Sequence, residues 1–271
     1  VIVGISSVTL PDTGLATDIK IAGETGFDFV ELRDEKLVVA LKGGSLTFLS
    51  RLLKKSGVTA HAISLLDDVP FQDREGEAAL ESQCYAMASS AAKLGAKWIV
   101  ASVGKPPANA PSKAESRAKL KDLLSLYHSI APLFGQVNLA FEFTGYPDSP
   151  VSTLTEARKL IDEVAPGKIG IVLDTFHFHL GGGSIEEIKE MSPDEIAFVQ
   201  VADAPPNAAD ESDKLLPGEG VVNLRSIVDA LESIGFDGAY SVEVNGSEYG
   251  GLHAEEIASR ALSSVKKLLE G

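Results

Sequence analysis

The sequence predicts a closed (β/α)8 barrel built as a single domain over residues 1–271. Three observations predict it. Short β-rich runs alternate with helical runs eight times along the chain. The length of 271 residues matches the roughly 250 that such a barrel uses. No shift of composition marks a second domain. A doubly wound open sheet is the competing architecture. It is disfavoured because no GxGxxG follows the first strand and the eighth pair fits a closed ring.

The elements follow in order. VIVGIS (1–6) precedes the helical run LATDIKIAGETG, with Asp12 or Thr13 available as its N-cap. FVELR (29–33) precedes TFLSRLLKKSG, and VTAHAISL (58–65) precedes EAALESQCYAMASSAAKLG. Gly57 and Gly95 close these two helices, glycine being the residue that enters the left-handed turn after a helix at no steric cost. WIVASV (98–103) leads to a long helix over roughly 113–134, and NLAFEF (138–143) to TLTEARKLIDEV. IGIVLD (169–174) leads to SIEEIKEM, IAFVQV (196–201) to NLRSIVDALESIG, and GAYSVEV (238–244) to AEEIASRALSSVKKLLE. GKPPANAP (104–111) and DAPPNAADESDKLLPGEG (203–220) are long loops after the fourth and seventh strands. Both fall on the rim where barrel active sites form.

Composition narrows the partners. Apolar residues make up 44% and charged residues 23%, an ordinary globular balance. A formal charge of −15 opposes a nucleic-acid partner, because that affinity rests on Lys and Arg releasing counterions. It equally opposes an anionic membrane surface. The apolar runs are strand-length, which excludes a membrane-spanning helix, and no signal sequence is visible, so the cytoplasm is the expected compartment. The single Cys84 excludes an intrachain disulfide and reads as a buried small apolar side chain. The expected partner is a small neutral molecule, unless the acids are collected around a cation; the sequence allows a homo-oligomer without requiring one.

Period-two alternation selects the candidate site. In NLAFEF, Leu139, Phe141 and Phe143 share one face, while Asn138, Ala140 and Glu142 share the other, inward one. The eighth strand repeats this, with Ala239, Ser241 and Glu243 inward. The sixth strand ends on Asp174, and the seventh carries Gln200 near its end. Four consecutive strands thus deliver Glu142, Asp174, Gln200 and Glu243 to one rim. Burying three carboxylates together is costly without a counter-charge. One divalent ion resolves the conflict, and oxygen donors suit Mn2+, Mg2+ or Co2+ better than Zn2+. Glu142 and Glu243, about half a ring apart, are placed to remove and return protons on a hydroxyketone held between them.

These residues lie in stretches that resemble the xylose isomerase-like TIM-barrel superfamily of sugar isomerases and epimerases, in which the inosose (2-keto-myo-inositol) isomerases look nearest. The stretches are DFVELRD (28–34), LAFEFTGYPDSPVSTLTEA (139–157), GIVLDTFHFHLGGGSIE (170–186) and LLPGEGVVNLRSIVDALESIGFDGAYSVEV (215–244). The resemblance runs in order over nearly the whole chain. It implies that Glu142, Asp174 and Glu243 bind a divalent metal, that Glu142 and Glu243 are the acid/base pair, and that His177 contacts a substrate hydroxyl or carbonyl. It further implies a metal-dependent isomerase or epimerase of a keto-sugar or keto-cyclitol acting through an enediolate. Two positions depart from the family pattern. Gln200 stands where a His ligand is usual, and an amide oxygen is neutral and weaker than imidazole toward zinc. Lys214 stands where an Arg is usual before the PG turn; it keeps the charge and loses the bidentate fork. Gln200 keeps open a related dehydratase or lyase of an inosose or dehydroshikimate type, although Ala202 argues against dehydroshikimate. A non-catalytic carbohydrate-binding barrel is the reading from another class.

The remaining candidates are plainer. Glu31 and Arg33 share a face of FVELR, either as substrate contacts at the mouth or as a pair with each other. His61 reads as structural, Trp98 as core, and His128 and His253 as surface or packing residues. His179 has no role beyond loop support. The acidic runs at 67–68 and 211–213 read as solvated loop charges. Gly181 to Gly183 precede an acidic helix start, which disfavours a phosphate cradle.

Overall fold

The computed structural model describes residues 1–245 and 247–271. Among the described residues, eight parallel strands form a closed barrel in chain order: β1 (Ile2–Ser6), β2 (Phe29–Arg33), β3 (Thr59–Leu66), β4 (Trp98–Ser102), β5 (Asn138–Glu142), β6 (Gly170–Asp174), β7 (Ile196–Val201) and β8 (Ala239–Val242). β1 pairs with β8 through Ile2 opposite Ala239, which shuts the ring. The intervening helices are α1 (Leu15–Thr25), α2 (Asp34–Gly43), α3 (Leu46–Ser56), α4 (Arg74–Leu94), α5 (Lys113–Ile130), α6 (Leu154–Val164), α7 (Thr175–Leu180), α8 (Ile185–Lys189), α9 (Leu224–Ser233) and α10 (Ala254–Glu270). Among the described residues no helix is long and apolar enough to cross a membrane.

Local chemistry accounts for most of the boundaries. Gly57 and Gly95 end α3 and α4 with φ of 72° and 80°, as expected. Ser112 and Glu115 form a reciprocal capping box at the start of α5. That helix tightens into a 3-10 turn over Ala131–Phe134, where Pro132 can no longer donate to the ladder. The N-cap of α1 is Gly14, not Asp12 or Thr13. The Thr13 hydroxyl is diverted instead to the Leu10 carbonyl and the Asp18 carboxylate. Two helices are additions to the expected pattern, α2 and α7.

The alternation read from the sequence separates two cores. Leu139, Phe141, Phe143, Tyr240, Val242 and Val244 pack outward against the helices. Phe29, Trp98, Val100, Ala140, Val172, Phe198 and Ala239 fill the barrel interior. Large rings fit there because their neighbours are small. A Cβ at Gly4 would lie 2.2 Å from the Phe29 ring, and one at Gly170 would lie 2.8 Å from the Ala197 Cβ. Trp98 is therefore core, as expected.

His61 belongs to this interior. Its ring lies 4.7 Å from Phe29 and 5.4 Å from Phe198, centroid to centroid, and its buried Nε2 has no hydrogen-bond partner. Burial, followed by the charge of Lys97, pushes the imidazole down to about 4. An unfolded His takes up a proton near 6.5 that the folded ring refuses. The stabilisation from this group is therefore complete above 6.5 and is lost as pH falls toward 4. Urea unfolding is expected to show wild type losing about 2 kcal/mol more than His61→Leu between pH 7 and pH 5. Equal losses would show that His61 does not cause the acid sensitivity.

Candidate active site at the barrel mouth

Strand geometry carries four side chains to the same end of the barrel. Glu142 and Asp174 are the last residues of β5 and β6, Gln200 is next to last in β7, and Glu243 is one residue past β8. All four are buried. The mouth above them encloses a cavity of about 340 Å³, whose lining includes Arg33, Lys105, Glu142, His177, Glu211 and Glu243. A larger groove of about 710 Å³ lies off the axis, between the loop after β1 and helices α2 and α3. It contains none of the strand-end acids.

Asp174 does two jobs at once. Its Oδ1 accepts the His177 N–H at 3.0 Å, which caps α7 and starts a helix in TFHFHL. That turn brings His177 back over the mouth. Its Nδ1 accepts the Gly145 N–H at 3.3 Å, and its Nε2 lies 2.5 Å from Glu211 Oε1. With Nδ1 accepting, Nε2 carries the proton. Tyr146 and Phe176 hold the ring edge-on, each with centroids 5.5 Å away. Gly145 is required for this approach, because a Cβ there would lie 2.2 Å from the His177 carbonyl oxygen.

The loop after β7 supplies the opposing charge. Lys214 is fully buried. Its Nζ lies 2.8 Å from Asp174 Oδ2, 2.8 Å from Glu211 Oε2 and 3.4 Å from Glu243 Oε1. Burial alone would pull this ammonium down. Asp174, Glu211, Glu243 and Glu142 together outweigh that and hold it well above its ordinary value. Burial raises the Glu211 carboxyl, but Lys214 and then His177 overcome that and drive it far below the usual carboxylate range. Asp203 pins the base of the loop: Oδ1 accepts from Ala204 N at 2.8 Å and Val222 N at 2.9 Å, and Oδ2 accepts from Gly218 N at 3.0 Å. Across the mouth, Lys105 meets Asp210 at 2.5 Å.

Beneath this layer the acids are tied into one network. Gln200 Nε2 donates to Glu243 Oε2 at 2.7 Å and to Glu31 Oε1 at 2.9 Å. Ser64 and Ser241 donate to Glu31 at 2.9 Å and 3.0 Å. Burial, then the Glu243 charge, pushes the Glu31 carboxyl up to about 8. Burial also pushes Glu142 well above its ordinary value, with Glu243 and Asp174 adding to it. Arg33 bonds to Glu35 at 3.4 Å and faces the cavity; among the described residues no hydrogen bond joins it to Glu31. Both members of FVELR therefore reach the site, Glu31 below it and Arg33 at its rim.

The donor set fits a divalent cation. Ligand atoms of Glu142, Asp174 and His177 lie within 4.8 Å of one another. Gln200 Oε1 is buried without a hydrogen-bond partner, an acceptor left over among acids that already outnumber their donors. As placed, the Gln200 nitrogen faces Glu243, so the amide donates to one strand-end acid while its oxygen stays free.

Sequence reasoning missed Glu211, Lys105 and Asp210. Glu211 was expected to be a solvated loop charge; the structure sets it on His177 and Lys214 with 35% of its side chain exposed. The available signal was its spacing, three residues before Lys214 across the 3-10 turn Glu211–Asp213. His179 is exposed, and among the described residues no ion pair joins it to the site acids.

Comparison with known proteins agrees with the barrel fold. The chain is 30% identical over 265 residues to the inosose isomerase of Bacillus subtilis, covering 96% of this chain and 93% of that protein. It is 29% identical over 267 residues to the inosose isomerase of Bacillus velezensis, covering 97% and 95%. A crystal structure of the IolI protein with a zinc atom superposes with a TM-score of 0.92 at 27% identity, covering 100% of this chain and 98% of that one. Residues 19–268 match the family described as xylose isomerase-like TIM barrel, and the chain belongs to that family.

Proposed function

We propose that this chain is a divalent-metal-dependent isomerase of an inosose-like keto-cyclitol or keto-sugar, working by proton transfer through an enediolate. The observation that carries the reading is the convergence of Glu142 and Glu243 on one small polar cavity, in a chain whose relatives along nearly their whole length are inosose isomerases. At about 340 Å³ the cavity sits at the small end of ligand sites, roughly 300–1,000 Å³, and its lining is charged and polar. That suits a single polyol ring. Glu142, Asp174, Gln200 and Glu243 would hold the ion, the free Gln200 oxygen serving as the neutral donor after a half-turn of its amide. An all-oxygen set favours Mn2+, Mg2+ or Co2+ over Zn2+. When bound, the ion supplies Lewis-acid polarisation of a carbonyl and its neighbouring hydroxyl.

The chain's own groups do the rest. Glu142 and Glu243 stand on β5 and β8, three strands apart round the ring, so a hydroxyketone between them presents one face to each. Glu243, held by Gln200 and Lys214 before the ion binds, takes the carbon-bound proton. Glu142, across the cavity, is the partner that returns one. Arg33, which lines the cavity, offers a cationic donor to substrate oxygens, and His177 Nε2–H reaches them where a substrate hydroxyl displaces Glu211. The test is exchange of a carbon-bound proton of 2-keto-myo-inositol with deuterated water, followed by NMR. Exchange is expected, abolished by a chelator and restored better by Mn2+ than by Zn2+. No exchange with this compound or a panel of ketoses would sink the reading.

A further inference from the structure

We propose that Lys214 is a resident competitor of the divalent ion, and that Glu211 is the seat to which its ammonium retires when the ion binds; this rests on the metal-dependent reading above. Lys214 Nζ lies 2.8 Å from Asp174 and 3.4 Å from Glu243, two of the carboxylates assigned to the ion. An ammonium and a divalent cation cannot share those oxygens at full strength, since each needs the same lone pairs and repels the other. The Lys214 side chain is 1% exposed, so it has no solvent to withdraw into.

Glu211 solves that difficulty. Its Oε2 already sits 2.8 Å from Nζ, it belongs to the loop rather than the barrel wall, and its other oxygen is fixed by His177 at 2.5 Å. When the strand-end acids are given to the ion, Lys214 keeps one close carboxylate. Ion loading therefore strands no buried charge, which is the costly outcome for a broken ion pair. Before loading, the same ammonium offsets the mutual repulsion of the acids. Ion affinity is thus set by the β7 loop as well as by the ligands.

The test is Mn2+ titration of the full chain after chelator stripping, with free Mn2+ read by electron paramagnetic resonance at fixed pH. Lys214→Met is expected to tighten Mn2+ binding at least about tenfold, because one positive charge leaves the ligand oxygens. Lys214→Arg, which keeps the charge, is expected to stay within about threefold of wild type. Glu211→Gln is expected to weaken binding by about threefold or more, and by less than about twofold in the Lys214→Met background, where its route through Lys214 is gone. A folded Lys214→Met protein with unchanged or weaker binding overturns the competition while leaving the ion site intact. Should that variant not fold, unchanged or tighter binding by Glu211→Gln overturns it. Failure of wild type and every variant to bind Mn2+ overturns both the competition and the metal-dependent reading beneath it.

Discussion

Glu243→Gln is expected to lower kcat for the exchange reaction by about 10³-fold and to leave KM within about threefold, the pattern of a group that acts in the proton-transfer step. The amide keeps the size of the carboxyl and can keep its oxygen toward Gln200, whose bond to Glu243 Oε2 is 2.7 Å, while giving up the longer 3.4 Å bond from Lys214 to Oε1. What it loses besides is the negative charge, and with it the capacity to take a proton. Glu142→Gln is expected to fall in the same range, because one group removes the proton and the other returns it. NMR exchange at saturating substrate measures the effect directly. A variant that loses thermal stability but keeps kcat within tenfold would reduce Glu243 to a structural role.

Asp203→Ala is expected to cost about 3–5 kcal/mol. Two buried backbone N–H groups, on Ala204 and Val222, and the part-buried one on Gly218 lose the Asp203 carboxylate, and each buried donor left unpaired costs roughly 1–3 kcal/mol. Because the three span both ends of the β7 loop, the damage is also local. Trypsin is expected to cut after Lys214, which is fully buried in the intact protein, well before the barrel unfolds. Asp203→Asn keeps one acceptor oxygen and is expected to show an intermediate loss. Equal urea midpoints for wild type and Asp203→Ala would mean that water replaces the carboxylate at no cost.

The barrel was legible because its signal is repeated and short-ranged. All eight strand runs lie within a residue or two of the observed strands, since period two is a property of consecutive side chains. The same alternation placed Glu142 and Glu243 inward. What escaped depended on contacts distant in sequence. TFHFHL reads poorly as a helix, with Thr, Phe and His all modest helix formers, and is helical because Asp174 caps it and Phe176 and Phe178 find buried places. The run DEKLVVALKG became α2 directly off β2 without a side-chain N-cap, its start marked by the acidic first turn of Asp34 and Glu35. Its Lys36 is held by the carbonyls of Ser7 and Leu10 and by Asp18, partners that only the folded chain brings near. Glu211 was the largest miss. A glutamate in a polar loop is ordinarily solvated, and only the burial of Lys214 beside Asp174 draws it inward.

The rings of Phe29, Trp98 and Phe198 belong to the apolar packing inside the barrel, apart from the polar lining of the mouth cavity. On the proposed reaction, water, substrate and product would pass on the side of the loops that follow β4 and β7, whose Lys105 and Glu211 line the cavity. A proton lifted from the substrate onto a glutamate would then exchange with solvent from that side. The Lys105–Asp210 bridge crosses that side, where on the proposed reaction it would slow the exchange. Turnover in deuterated water should then return part of the original hydrogen to the product, and disrupting that bridge should lower the fraction returned.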